Sequence, residues 1–398
     1  MKKKIGIITL PLNTNYGGLI QAYALQTVIE RLGFSACVLD TPRYVLRLDN
    51  HMLYLKRMIK KILGCYHGAI YKEKEYYESY PIVARNTEMF IQKYIHRVKI
   101  NDFSFVDIDD FYGFVVGSDQ VWRPSYFQYT KDAYLNFTGN FDVKRIAYAP
   151  SLGVDYWEYS ECLTAKCKSL LCKFDAVSVR EDSAVDLFER YMDRTVEHVL
   201  DPTMLLSRED YVKLCMNARG LESHKDCILS YVLDPVNELD SIMEKVMKLT
   251  GKEVYSFNQQ SENYKINPSR RVALPVEAWF KAFDDAKLVI TDSFHACVFS
   301  IIFHKPFIVL INKRRGIARI ESLLRLFKLE NRIVCNVSNL VNIEDGDFDW
   351  NKIDEAISRL SDTKIFIDDT PGMTISEIRA KCRRLASSEN DLGIVIID

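Results

Sequence analysis

The chain has 398 residues, of which 48% are hydrophobic and 27% charged, the make-up of a soluble globular protein. That length is long for a single core and predicts two domains. Lysine and arginine number 53 against 54 aspartates and glutamates, so no global charge points to nucleic acid, and any anion site must be local.

The first segment, "MKKKIGIITLPLNTNYGG", has an apolar run that stops at Pro11. It is too short for a secretory signal and reads as a strand, Ile5–Leu10. No stretch approaches the roughly 20 apolar residues of a membrane span. A cytoplasmic protein is expected. Helical periodicity follows in "LIQAYALQTVIERLG", then a strand at Ala36–Leu39. Residues 49–80 interrupt this alternation with a basic helix over 53–63. There Leu55, Met58, Ile59 and Ile62 form an apolar stripe among Lys56, Arg57, Lys60 and Lys61. Two readings stay open: a surface helix packed on the first domain, or a basic amphipathic helix touching an anionic membrane face.

Further strands are expected at Gly113–Gly117, Arg145–Ala149, Ala176–Val179 and His198–Leu200, with a helix in "SAVDLFERYM". A second series runs Ile228–Leu233, Glu253–Phe257, Leu288–Thr291 and Phe307–Ile311. It alternates with the helices "ELDSIMEKVMKLTG" and "EAWFKAFDDA". Two such βα series predict an α/β fold of two Rossmann-like doubly wound domains facing a central cleft. The first would span 1–199 with a helical insertion at about 49–100, the second 200–372, with the boundary near "VLDPTML". A helix and tail over 373–398, carrying "TISEIRAKCRRLASS", complete the chain; periodicity leaves open a path back to the first domain.

Ten cysteines without a CxxC pair read as scattered thiols, not a disulfide framework or a zinc site. Cys162, Cys167 and Cys172 are spaced by five, which advances a helix about 140° each time and spreads them around it. No metal site is expected.

Ligands of doubly wound sheets bind outside the carboxyl ends of the strands, so the turns there carry the chemistry. "TDSFHACVFSIIFHKPFIVL" (291–310) places Asp292 or Ser293 as the cap of a helix and His295 in its first turn. Exposed N–H groups and the dipole favour an anion there and disfavour imidazolium. His295 therefore reads as a neutral proton acceptor or hydrogen-bond donor. His304, nine positions on, is about 900° around the helix and belongs to its C-terminal end. "VRED" puts Arg180 at a strand end, where its fork suits phosphate or carboxylate. "GSDQVW" offers Asp119 and Gln120 for sugar hydroxyls and Trp122 as either a sugar platform or a core tryptophan. "NTNYGG" is neither a GxGxxG nor a Walker loop; its glycines allow close backbone approach beside Asn15, Tyr16 and Gly17. Arg314, Arg315 and Arg319 follow the strand after the histidine helix.

Together "IGIITLPLNTNYGGLIQAYALQ", "VVGSDQVW", "VSVRED", "LDPT" and "ITDSFHACVFSIIFHKPFIVL" resemble the polysaccharide pyruvyl transferase family. The resemblance implies two Rossmann-like domains arranged as in two-domain B-type glycosyltransferases. It implies transfer of a pyruvyl group from phosphoenolpyruvate, a co-substrate, onto sugar hydroxyls as a cyclic ketal, with no separate cofactor. The acceptor side falls to the first domain, with Asn15, Tyr16, Gly17, Gln120 and Trp122. The phosphoenolpyruvate side falls to the second. His295 matches the family's functional histidine and Arg180 its anion-binding arginine, with Asp119 orienting or deprotonating the acceptor. Some members carry arginine two positions before the histidine, where this chain has Ser293, so Arg319 or Arg315 is the expected substitute. Gly commonly follows that histidine; here it is Ala296. A nucleotide-sugar-dependent glycosyltransferase and a non-catalytic sugar-binding protein are the alternatives, and a lipid-linked acceptor would give the basic helix a purpose.

Overall fold

The computed structural model describes residues 4–44, 51–65, 70–218, 220–234, 239–257, 261, 263, 266–311 and 317–334. In the first half the chain runs β1 (Lys4–Ile8), α1 (Tyr16–Arg31), β2 (Ser35–Asp40), α2 (His51–Ile62), α3 (Lys72–Val83) and α4 (Arg85–Tyr94). It continues through β3 (Arg97–Lys99), β4 (Gly113–Val116), β5 (Lys144–Ala147), α5 (Glu161–Leu171), β6 (Ala176–Val179), α6 (Asp182–Met192) and β7 (Glu197–His198). A single-turn helix at Pro202–Leu205 leads to α7 (Arg208–Met216), β8 (Ile228–Tyr231), α8 (Leu239–Thr250), β9 (Val254–Ser256) and α9 (Val276–Asp285). The described part ends with β10 (Leu288–Thr291), α10 (Phe294–Ile302), β11 (Phe307–Leu310), α11 (Ala318–Phe327) and β12 (Ile333–Val334).

Among the described residues the strands form two sheets, ordered β3-β2-β1-β4-β5-β6-β7 and β12-β11-β10-β8-β9. Every pairing is parallel. Both orders reverse direction once, between β1 and β4 and between β8 and β10, which is the doubly wound topology with its two switch points. Central strands such as β4, β8, β10 and β11 are buried at every position, as parallel sheets covered on both faces require. The expected strands are found. Two short edge strands, β3 and β12, carry too little β-branched run to stand out in the sequence.

One apolar cluster joins the two sheets: Leu19, Ile20 and Val38 on one side connect to Tyr231, Phe257, Trp279 and Phe299 on the other. Tyr16 packs within it, its ring 5.5 Å from Phe257 and 6.2 Å from Trp279. The expected cleft is therefore filled beside α1, and among the described residues buried polar side chains gather where the strand ends meet.

The insertion after β2 holds α2, α3 and α4. Its first helix does not behave as an ordinary packed surface helix. Leu53, Tyr54 and Arg57 face the protein, with the Tyr54 ring 4.9 Å from Tyr71 and Arg57 bound to Glu73 at 2.7 Å. The apolar stripe faces solvent instead. Cys162 and Cys172 are exposed and Cys167 is buried, as the spacing around α5 requires. The tail at 373–398 and the end of the expected second domain lie outside the described residues.

Candidate functional site

The site forms where the carboxyl ends of β4, β6, β7 and β10 converge. His295 is the second residue of α10 and lies 8% exposed. Ser293 occupies the N-cap but its side chain makes no capping bond. Asp292 does not cap either: its carboxylate accepts from the backbone of Leu233 at 2.7 Å and Asp234 at 3.2 Å, tying the loop after β8 to this turn. The expected side-chain cap is thus replaced by a loop anchor, and the first-turn N–H groups of α10 are left uncapped by it.

The imidazole Nε2 lies 3.7 Å from the Asp201 carboxylate, a charge that the helix-dipole reading of His295 did not include. Asp201 follows β7 and is buried. Its other oxygen accepts from Thr203 through the backbone N–H at 3.0 Å and the hydroxyl at 2.7 Å. The Oδ2 atom receives Arg180 Nη1 at 2.7 Å and lies 3.3 Å from Ser118 Oγ. Arg180 Nη2 reaches Asp119 at 3.2 Å, and Arg319 Nη1 approaches the same oxygen at 3.9 Å. The Phe294 ring packs under both cations, 4.5 Å from the Arg180 guanidinium and 5.8 Å from that of Arg319. Such contacts favour the charged guanidinium.

Burial raises the Asp201 carboxyl, but the neighbouring imidazole and the Arg180 charge prevail and hold it well below the usual carboxylate range. Asp119 behaves likewise: burial pushes it up, while Arg180, His295 and Arg319 bring it below its ordinary value. Arg180 loses to burial and gains more from Asp201 and Asp119, so its pKa rises. Arg319 is pushed down to about 10, chiefly by burial and then by repulsion from Arg180. The two arginines therefore differ: Arg180 is held between two carboxylates, and Arg319 has its charge disfavoured by burial and by Arg180.

Two loops are fixed from behind. Gln21 on α1 accepts from the Ser118 backbone N–H at 2.9 Å and donates to Thr9 Oγ1 at 2.7 Å. Glu181 accepts from Ser151 Oγ and the backbone of Leu152 and Gly153 at 2.7–3.0 Å, holding the turn after β5. Gly117 has φ of 135°, and a Cβ there would strike the Tyr148 carbonyl group. Only glycine takes that conformation without strain.

Several sequence expectations change here. Trp122 is fully buried, stacked on Tyr134 at 4.8 Å and Phe188 at 5.0 Å, with Nε1 donating to Ala133. No ring face remains for a sugar; it is a core tryptophan. Tyr16 is also buried, its hydroxyl donating to the Leu274 carbonyl at 2.9 Å across the interface. Gln120 is buried, and its amide oxygen accepts from Arg123 at 3.0 Å. Arg180 has both terminal nitrogens bound to aspartates and a side chain only 1% exposed, so it is not an open anion clamp. Asp119, ionised and paired, is a weak base. Gly17 touches the His295 ring, Asn15 is exposed in the same loop, and Ser293 is buried at the turn. Arg314 and Arg315 lie outside the described residues. Asp201, Gln21 and Phe294 were not singled out as site residues, although each lies within a quoted motif; the position of "LDPT" just past β7 was the available signal for Asp201.

Fold and site define an α/β protein of the doubly wound type whose ligand end is built from both sheets. The polysaccharide pyruvyl transferase family model matches residues 15–314, and the chain belongs to that family. A second match, to the DnaB-like helicase C-terminal domain, covers residues 316–398. The replicative helicase DnaC of Bacillus subtilis is 45% identical over 76 residues, covering 18% of this chain and 16% of that protein. DnaB of Geobacillus stearothermophilus is 42% identical over 76 residues with the same coverage. The chain spans only 16% of the length of these curated relatives. The stretch that the helicase-domain model matches begins with α11 and β12, and β12 pairs in parallel with β11. The second sheet thus continues past the end of the transferase match.

Among solved structures, a UDP-GlcNAc 2-epimerase from Methanocaldococcus jannaschii is 11% identical with a TM-score of 0.41, covering 98% of this chain and 100% of that one. A glycosyltransferase from Rickettsia africae is 11% identical with a TM-score of 0.44, covering 90% of each chain. Scores this low leave the fold to be read from the strand order itself. No described helix is long and apolar enough to cross a membrane.

Proposed function

We propose that the chain transfers the pyruvyl group of phosphoenolpyruvate onto two hydroxyls of a sugar acceptor, forming a cyclic ketal and releasing phosphate. The observation that supports this reading is His295, set at the uncapped start of α10 beside Asp201, with Arg180 and Arg319 both packed on the neighbouring Phe294 ring. A trianionic donor calls for localised cations and N–H donors, and an enol phosphate calls for a proton donor at its methylene carbon.

In this reading His295 delivers a proton to the methylene carbon while the first hydroxyl adds to the neighbouring carbon. It then takes the proton lost by that hydroxyl. The second hydroxyl attacks the same carbon, the carbon–oxygen bond to phosphate breaks, and its proton leaves with phosphate. Arg319 and the α10 N–H groups bind phosphate or carboxylate. Arg180, Asp119 and Asp201 hold His295 and Arg319 in place. Asn15 and Gly17 border the acceptor. The scheme uses no metal and no separate cofactor. The acceptor is a surface polysaccharide or its lipid-linked precursor, handled on the cytoplasmic face. Near-neutral net charge supports leaving nucleic acid out of this reading; a gel shift with DNA checks that for the helicase-like stretch.

The test is incubation with phosphoenolpyruvate and a panel of lipid-linked glycans, scored by mass for a pyruvate ketal and by phosphate release. His295→Ala abolishes both while the fold survives; near-normal turnover sinks the assignment. Nucleotide release from an activated sugar would mark a glycosyltransferase, and saturable binding without turnover a sugar-binding protein.

A further inference from the structure

The helix α2 is built inside out for a protein surface. Met52, Leu55, Ile59 and Ile62 recur at intervals of three and four, and therefore line one side of the helix. They are 63%, 45%, 47% and 78% exposed, and Met58 and Leu63 extend the stripe at 43% and 68%. The half-buried side, Leu53, Tyr54 and Arg57, lies roughly opposite. Lys56 borders the stripe, and Lys60 and Lys61 are exposed further round the helix. From His51 to Lys72 the sequence contains no Asp or Glu, although the whole chain is almost neutral.

We propose that α2 docks the protein on an anionic lipid bilayer, its apolar stripe entering the headgroup–acyl boundary and its lysines reaching the lipid phosphates. An apolar face turned to solvent costs free energy unless something covers it. Lysines with flexible stems can lie beside buried apolar atoms and still reach the headgroups. A second copy of this chain fits less well, because symmetric pairing of α2 would bring like charges together. The helix is held from its other side by Arg57 on Glu73 and on the Ile70 carbonyl. Its insertion leaves sheet one at the carboxyl end of β2, the same end as the site. This inference stands apart from the transfer reaction.

The experiment is flotation of the full chain with phosphatidylcholine vesicles, with and without phosphatidylglycerol, at low and high salt. Phosphate release with a soluble sugar acceptor is followed separately. The protein is expected to float with the anionic vesicles, and salt weakens this. Replacing Lys56, Lys60 and Lys61 by Gln is expected to weaken partitioning on the order of a hundredfold, since each lysine contributes about fivefold near such a surface. Ile59→Glu with Ile62→Glu abolishes flotation. Both variants keep their circular dichroism spectrum and their turnover of the soluble acceptor. Absence of flotation, equal flotation with neutral vesicles, or unchanged binding in both variants overturns the proposal. A dimer in light scattering that disappears in Ile59→Glu, without flotation, assigns the face to a second copy.

Discussion

Gly17 lies so close to His295 that a Cβ at position 17 would come within 2.6 Å of the imidazole Cγ and 2.8 Å of Cε1. The first turn of α1 and the first turn of α10 meet through this contact, so the backbone of one sheet's leading helix sets the ring position in the other's. An alanine there must displace the ring or separate the helices. Displacements on the scale of 1 Å in catalytic groups cost about 100-fold in rate. Gly17→Ala is expected to lower kcat for phosphate release by about that factor, with a small change in the melting temperature. Wild-type kcat in a folded Gly17→Ala protein would show that the ring position does not matter.

Asp201 joins His295 and Arg180 in the described core of the site. Removing one partner of a buried charge pair leaves the other uncompensated, typically at about 3–5 kcal/mol. Asp201→Asn keeps the shape and removes the charge. It is expected to lose stability on that scale in urea unfolding and to lose turnover. Double replacement with Arg180→Met should recover part of the stability and none of the turnover. A loss under about 1 kcal/mol in the single variant would contradict the burial argument.

The strand ends were legible because parallel strands buried on both faces are continuous apolar runs followed by polar turns. The position of His295 was legible for the same reason: a residue just past such a run falls where the strand ends converge. Trp122 and Tyr16 misled because a polar turn next to an aromatic residue looks like a sugar site. Only tertiary packing shows Phe188 and Tyr134 covering the indole. The pairing of Arg180 with Asp201 joins residues 21 positions apart, and its bond to Asp119 joins residues 61 apart. A one-dimensional pattern gives no sign of such partners. The outward stripe of α2 was likewise visible as a stripe, while its direction depended on which face Tyr71 and Glu73 would cover.

Acid stability follows from two opposed groups of carboxyls. Asp201 and Asp119 titrate below their ordinary values. Their contribution is complete above the unfolded value of about 4 and is lost as pH falls through the lowered folded values. Asp40 and Asp132 run the other way: burial pushes each up to about 6. Their contribution is complete below about 4 and is lost as pH rises through about 6. Thermal melts should therefore show stability rising modestly from pH 7 to about 5 and falling steeply below about 4. Asp40→Asn, which can still accept from the Leu12 N–H, is expected to flatten the rise and leave the acid fall unchanged. An unaltered rise would assign it to other groups.

Arg319 and Arg180 sit on the same Phe294 ring yet should fail differently when changed. Arg180 already has two carboxylate partners, so Arg180→Lys should act mainly on stability, losing the fork that spans Asp119 and Asp201. Arg319 is repelled by Arg180 and lies 3.9 Å from Asp119. A donor phosphate or carboxylate arriving beside it would add a charge-assisted hydrogen bond. A hydrogen bond to a charged group contributes about 1.5–3 kcal/mol, so Arg319→Ala should raise the KM for phosphoenolpyruvate roughly ten- to hundredfold. Arg319→Lys, which keeps the charge without the planar fork, should fall between. The acceptor KM should not move in either. A donor KM that stays at the wild-type value in Arg319→Ala would remove Arg319 from the donor site and return the search to the first-turn N–H groups of α10.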